Sequence, residues 1–306
     1  MTIAVIDMGT NMFNVLVVEI MSDKSYKILF HKQIGIKLGK GGINKHIITS
    51  EAFDRAINGI AILLDDIKPF CVDKIKTIAT SGIRSAKNGN ELVQKIKTEF
   101  NIDVDVISGD EEAELIYMGV KQIIDIKTKP VLILDIGGGS NEFIIADQTG
   151  ILWKHSFDLG VARLLERFNP SDPITIDEVK QIEKYLDPEL KLLYQSVTKY
   201  QPKHLIGCSG AFESFSLMVI EQKEIKMKID TYYNIDLCDF KNLHLKLLAS
   251  TIDARKKIRG LEPVRAEMIV MASIFTNFII EKLDIQKLTQ SAFAIKEGMV
   301  DKIANS

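Results

Sequence analysis

Apolar positions along the chain fall into short continuous runs and longer periodic ones. Residues 3–19 read IAVIDMGTNMFNVLVVE and residues 131–147 read VLILDIGGGSNEFIIAD. In each, four apolar residues lead to an aspartate, an apolar residue, a glycine, a small polar turn and a second apolar run. The pattern predicts a buried strand, a tight turn and a returning strand at both places, ending at Asp7 and Asp135. A third strand-to-glycine junction is read at His204-Leu205-Ile206-Gly207-Cys208-Ser209-Gly210, followed by residues that can open a helix. The periodic runs predict helices. Ser50 caps one over Glu51–Asp66, with Phe53, Ala56, Ile57, Ile60 and Leu64 on one face. Ser108 with Glu111, and Thr175 with Glu178, have capping-box spacing ahead of apolar stripes. Pro188 suits the first position of a further helix. The stretch Met268–Ile280 reads as a buried helix, too short and too polar at Ser273, Thr276 and Asn277 to span a membrane.

Strands alternating with helices give an α/β class. The echo around Asp7 and Asp135 is too widely spaced for a solenoid, whose period is about 20–50 residues. It reads instead as one domain plan used twice, with the boundary at Lys127–Pro130. A length of 306 residues agrees with two domains. The formal net charge of −2 argues against a general nucleic-acid binder. Three cysteines without a C-x-x-C pair suggest neither a disulfide framework nor a zinc site, and fit a reducing cytoplasm. The five histidines form no ligand pair. No targeting segment is read at the N-terminus.

Glycine-rich turns after buried strands expose backbone N–H groups, which bind phosphate oxygens. Asp7, Asp135 and Glu142 lie in or beside these turns. Carboxylate next to phosphate is repulsive unless a divalent cation lies between, and partly hydrated Mg²⁺ is the natural bridge. Plainer readings stand beside this one. A single D-x-G turn is ordinarily just a hairpin. By position alone Glu111 and Glu112 are first-turn acids, favoured by the helix dipole by about 0.3–1 kcal/mol. Arg84 can be a surface ion-pair partner, and His204 a satisfied structural histidine. The cluster Arg255, Lys256, Lys257, Arg259 and Arg265 reads first as a solvated face, second as a steering patch for polyanions. Gly35–Gly41 is one residue short of a P-loop and lacks the Ser/Thr after its lysine, and Gly137–Glu142 lacks the third glycine of a dinucleotide fingerprint.

The motifs together resemble a known family. The paired hairpins are similar to the phosphate loops of the superfamily that includes actin, heat-shock chaperones, acetate kinase and sugar kinases. Within it the chain resembles the exopolyphosphatases and guanosine pentaphosphate phosphohydrolases, the Ppx/GppA family, over nearly its whole length. Asp7–Phe13 resembles D-x-G-S-N-S-F, and Lys37–Gly41 with Ser50–Ala52 resembles R-L-G-x-G…S-x-E-A. Ala79–Asn88 resembles A-T-S-A-x-R-x-A-x-N, Ile107–Ala113 resembles I-S-G-x-E-E-A, and Asp135–Glu142 resembles D-I-G-G-G-S-T-E. Leu159–Phe168 resembles L-G-x-x-R-L-x-E-R-F, and Arg265–Ile269 resembles R-A-D-x-I.

The resemblance implies two duplicated actin-like, ribonuclease H-like domains around a central cleft. The first would span residues 1–126, with 291–306 crossing back to it, and the second 127–290. It implies a hydrolase of terminal phosphoanhydrides, acting on polyphosphate, guanosine pentaphosphate or both. Glu112 would be the general base and Arg84 would help neutralise phosphate. Asp135 and Glu142 would carry Mg²⁺. Phosphate would be held by Asp7, Gly9, Thr10 and Asn11, by Gly137, Gly138, Gly139, Ser140 and Asn141, and by Gly207, Ser209 and Gly210. A homodimer is implied by resemblance alone. The chain looks like the short form of the family, for which weaker processivity on long polyphosphate is expected. Met12, Lys37, Asn141 and Ala211 depart from the family's serine, arginine, threonine and threonine, and residues 291–298 lose a glycine and an arginine. The alternatives are a kinase of the same superfamily and a sensor that binds polyphosphate or nucleotide without turnover.

Overall fold

The computed structural model describes residues 1–225, 229 and 231–306. The first half opens with β1 (Thr2–Met8), β2 (Met12–Ile20) and β3 (Tyr26–Gly35), an antiparallel meander. Next come α1 (Ser50–Ile67), β4 (Lys74–Ala79), the one-turn α2 (Ser81–Arg84), α3 (Gly89–Phe100), β5 (Val104–Val106) and α4 (Gly109–Val120). β4 and β5 join in parallel, giving the order β3-β2-β1-β4-β5. The plan then repeats. β6 (Val131–Ile136), β7 (Asn141–Asp147) and β8 (Gly150–Phe157) form a second meander, followed by α5 (Val161–Phe168), α6 (Ile176–Glu189) and α7 (Lys191–Tyr200). β9 (His204–Cys208) lies parallel beside β6, ahead of α8 (Ser209–Gln222). The chain finishes with β10 (Tyr232–Ile235), α9 (Leu237–Leu248), α10 (Ile252–Arg255), α11 (Ile269–Lys282), β11 (Lys287–Ser291) and α12 (Ile295–Ala304). The second sheet has the order β10-β11-β9-β6-β7-β8. Each half thus places a parallel strand beside the first strand of its meander, the duplicated α/β plan expected.

Strand periodicity places the two aspartates. On β1, Ile3 and Val5 enter a core shared by both halves, whereas Ala4, Ile6 and Met8 pack outward under α1 and α3. Ile133 on β6 enters the same shared core, while Leu132, Leu134 and Ile136 face the second half's own core. Side chains alternate across a strand, so Asp7 and Asp135 continue the inner faces where those faces open into a cleft. α4 and α12 fill the space between the sheets, with Ile116, Val120, Met299 and Val300 all buried there. The chain therefore returns to the first half after β11, which ends at Ser291 in the second sheet.

Several local expectations change. Thr49, not Ser50, caps α1: its extended backbone lets its hydroxyl accept from Ala52 N. Pro188 lies in the last turn of α6 rather than opening a helix, and α7 starts at Lys191. Leu186 and Leu190 are both fully buried, and their packing carries α6 past the proline. Ser108–Glu111 and Thr175–Glu178 form the expected capping boxes, and the buried helix near Met268 is α11. The basic cluster is not one solvated face. Arg255 is buried and donates to Ala266 O, Ser250 O and Asp172, while Arg265 lines the central cleft.

Candidate active site

The two hairpin turns face each other across a cleft of about 620 Å³. The strand registers are equivalent: Asp7 pairs with Asn14, and Asp135 with Glu142. The turns are in close contact. A Cβ on Gly138 would come within 2.5 Å of the Asn11 amide, and one on Gly139 within 2.6 Å of Ser81 Oγ and 2.7 Å of Thr10 Oγ1. A side chain at either position would have to push these groups aside. Ser81 Oγ and Asn11 Oδ1 are buried without a hydrogen-bond partner among the described residues, and both side chains belong to the cleft wall. Unmet polar atoms in such a place are positions for a polar ligand.

Four carboxylates form the floor: Asp7, Asp135, Glu142 and Glu112, none more than 8% exposed. Glu112 reaches it through helical periodicity, because it heads the buried stripe Glu112-Ile116-Val120 at four-residue spacing. Glu111, one position earlier, turns away and completes the capping box with Ser108. Arg84 Nη1 donates to Glu112 Oε2 and to Ile107 O, both at 2.9 Å. Ser140 and Ser156 donate to Glu142 Oε1 at 2.6 and 2.7 Å. Ser209 Oγ donates to Asp135 Oδ2 at 2.6 Å, and Asn14 Nδ2 to Asp7 Oδ2 at 3.1 Å.

Burial raises the pKa of every one of these acids, since desolvation disfavours the charged form. Asp7 moves to about 6, with Lys296 and the Asn14 hydrogen bond opposing the rise. Asp135 moves to about 8, through burial and then the charge of Glu142. Glu112 lies well above the usual carboxylate range, from burial and the nearby Glu142, against the pull of Arg84. Glu142 is raised by burial despite its two serine donors. Lys296 at Asp7, and Arg84 at Glu112 and Glu142, oppose the rise without cancelling it.

The sequence-derived site residues divide. Asp7, Gly9, Thr10, Asn11, Gly137, Gly138, Gly139, Ser140, Ser209 and Gly210 line the cleft together with Asp135, Glu142 and Glu112. Three others stand behind the wall. Asn141 is fully buried and donates to Leu159 O at 2.9 Å, bracing the second turn from outside the cleft. Gly207 makes room for the Phe212 ring, which a Cβ there would meet at 2.1 Å. Arg84 serves the cleft through Glu112 rather than lining it. Sequence reading missed Ser81, which the match to A-T-S-A already contained, and Lys296. It also missed Arg163 of L-G-x-x-R-L. That buried guanidinium donates to Gly139 O (2.7 Å), Ile43 O (3.1 Å) and Ser85 Oγ (2.9 Å), tying the second turn to the first half. His204 bonds Thr289 Oγ1 and is structural, as expected.

Residues 16–306 match the Ppx/GppA phosphatase family. The chain is similar to a solved exopolyphosphatase from Cytophaga hutchinsonii, with 38% identity, a TM-score of 0.96 and coverage of 100% of this chain and 98% of that one. An exopolyphosphatase-like protein of known structure is 22% identical, with a TM-score of 0.90 over 99% of this chain and 97% of its own. The Ppx/GppA family member from Aquifex aeolicus is 22% identical, with a TM-score of 0.78 over 100% of this chain and 98% of its own, a likeness of fold.

Proposed function

The chain belongs to the Ppx/GppA phosphatase family, and from that premise we propose that it hydrolyses the terminal phosphoanhydride bond of inorganic polyphosphate with the help of Mg²⁺. The observation that carries this reading is Glu112: a buried glutamate, clamped by Arg84, on a floor shared with the aspartates of both hairpins. The relation to a Cytophaga hutchinsonii exopolyphosphatase supports polyphosphate as the substrate.

The floor fits a divalent cation. Asp135 and Glu142 are adjacent hard oxygen donors, both raised in pKa by burial, and a cation brought to them would offset the charge of Glu142 that lifts Asp135 further. Among the described residues no three His, Cys, Asp or Glu side chains converge closely enough to hold a metal ion. Asp135 and Glu142 would therefore share the ion with water and phosphate oxygens, the usual manner of Mg²⁺. When bound, Mg²⁺ would neutralise phosphoryl charge and, by offsetting Glu142, favour the ionised form of Glu112.

The remaining roles belong to the protein. The turns Gly9–Asn11 and Gly137–Ser140 cradle phosphate oxygens through backbone N–H groups other than those of Gly9 and Gly137, which donate to Met12 O and Ser140 O within the hairpins. Ser81 and Thr10 add hydroxyls between the turns. Glu112 takes a proton from water as the water oxygen bonds to the terminal phosphorus and the anhydride P–O bond breaks. Arg84 holds Glu112 in place. Guanosine pentaphosphate is a second substrate reading, favoured by the apolar Leu16, Ile28 and Val264 and the polar His31 and Gln33 that also line the cleft and suit an organic group.

The test is phosphate release from polyphosphate, guanosine pentaphosphate and ATP, with and without Mg²⁺. Glu112→Gln is expected to lose at least about 10²-fold, the lower range for a positioned acid–base group. Turnover unchanged in that variant would remove Glu112 from the mechanism. Binding without release by the wild type would favour a sensor, and ADP formation that depends on a second substrate would favour a kinase.

A further inference from the structure

Lys296 is the second residue of α12, in a first turn where the helix dipole opposes a cation. Val300, four residues on, is fully buried, so the helix aims Lys296 inward, and its side chain lines the cleft at only 13% exposure. There it has no close acceptor among the described residues. The nearest carboxylate oxygen, Glu297 Oε1, is 3.8 Å away, and Glu297 Oε2 already accepts from Ala294 N. The aspartates use other donors: Asp7 takes Asn14, and Asp135 takes Ser209. Burial pulls the Lys296 pKa down, but Glu297, Asp7, Glu213 and Asp135 outweigh it and hold the group above the ordinary lysine value. The ion pair with Glu297, at 3.8 Å, is too long for a hydrogen bond, so it leaves donors of the ammonium for a ligand in the cleft that its side chain lines. On the preceding strand, Gln290 also lines the cleft, with Oε1 buried and unpartnered.

We infer that Lys296 is a catalytic residue of this cleft, whose ammonium binds a phosphate oxygen of the substrate on the floor between Asp7 and Asp135. The inference rests on the phosphohydrolase reading, and it gives the C-terminal segment a chemical task besides packing. As the anhydride bond breaks, charge shifts onto the departing phosphate chain, and a fixed ammonium at the floor stabilises that charge without moving.

The test compares Lys296→Met and Lys296→Arg with the wild type, using inorganic tripolyphosphate and Mg²⁺. In K296M, phosphate release is expected to fall roughly 10–100-fold, the value of one charge-assisted hydrogen bond. Thermal protection by tripolyphosphate, measured against each variant's own ligand-free melting temperature, should largely disappear. K296R, which keeps the charge, should retain most of both. A K296M protein that keeps protection and release but melts lower without ligand would overturn the inference and make Lys296 a structural counter-ion. If K296M does not fold, Lys296→Gln takes its place. Should the wild type bind tripolyphosphate yet release no phosphate, the hydrolase reading fails while loss of protection in K296M still supports the contact. Equal protection of both would overturn the contact.

Discussion

The two hairpins share a register and differ in one residue that changes their electrostatics. Opposite Asp7 stands Asn14, a neutral amide that donates to the aspartate. Opposite Asp135 stands Glu142, a second acid, itself satisfied by Ser140 and Ser156. Both aspartates are equally buried, at 7% exposure, so burial alone does not separate them. Their surroundings do: Lys296 and the Asn14 amide hold Asp7 to about 6, whereas the charge of Glu142 helps lift Asp135 to about 8. Duplication therefore supplied two turns of one register, and a single position set an amide opposite the first aspartate and an acid opposite the second. Where the first turn has Met12, with no hydroxyl to give, the second has Ser140 holding Glu142.

Removing the acid that distinguishes the second hairpin should have the largest effect. Glu142→Gln is expected to weaken Mg²⁺ dependence by at least the roughly 10–100-fold that loss of an outer-sphere metal partner costs. Titration of phosphate release against Mg²⁺ measures it, and an unchanged midpoint would place the cation elsewhere.

A pH series on the metal-free protein sharpens the contrast next. Asp135 keeps its proton in the fold up to about pH 8, whereas the unfolded chain loses it near the ordinary aspartate pKa of 3.8. Between these values the unfolded state binds fewer protons, so stability falls as pH rises through the window and levels off above it. Asp7 adds a similar loss that ends near pH 6. Melting temperature should drop more from pH 5 to 8 in the wild type than in Asp135→Asn. The expected difference is at least about 2–4 °C, the equivalent of 1 kcal/mol at comparable size. Parallel curves would mean that Asp135 is not protonated at rest.

The smallest change makes the first hairpin copy the second. Asn14→Asp places an acid opposite Asp7 and should cost about 1 kcal/mol or more at neutral pH by burying a repulsive pair. Thermal melts with and without Mg²⁺ measure this, and the variant should regain part of the loss with the ion. A neutral effect without metal would mean that Asn14 contributes nothing to holding Asp7.

Much of the fold was legible because it rests on local periodicity. The apolar runs in 3–19 and 131–147 determined two hairpins, and the alternation of side chains along the folded strands placed Asp7 and Asp135 on inner faces. Capping boxes at Ser108 and Thr175 announced two helix starts, since such motifs satisfy their own backbone groups locally. The site was legible in part. Glu112 looked like its neighbour Glu111 by position; the motif resemblance picked it out, and the direction of the buried stripe along α4 separates a floor carboxylate from a cap. Asn141 and Gly207 matched phosphate-loop positions, yet packing turned one to Leu159 and gave the other to Phe212.

The sequence by itself therefore determined the duplicated α/β plan, the two aspartate turns and the family. Those depend on spacing within short segments. Tertiary structure decided that Lys296 and Arg163 reach the cleft and that Arg84, already read from the motif, serves it through Glu112, because these cations arrive from distant segments. Lys296 comes through a C-terminal helix that crosses from the second sheet to the first. It also decided the protonation of the floor, since the pKa of a carboxylate depends on burial and on charges brought near it by folding.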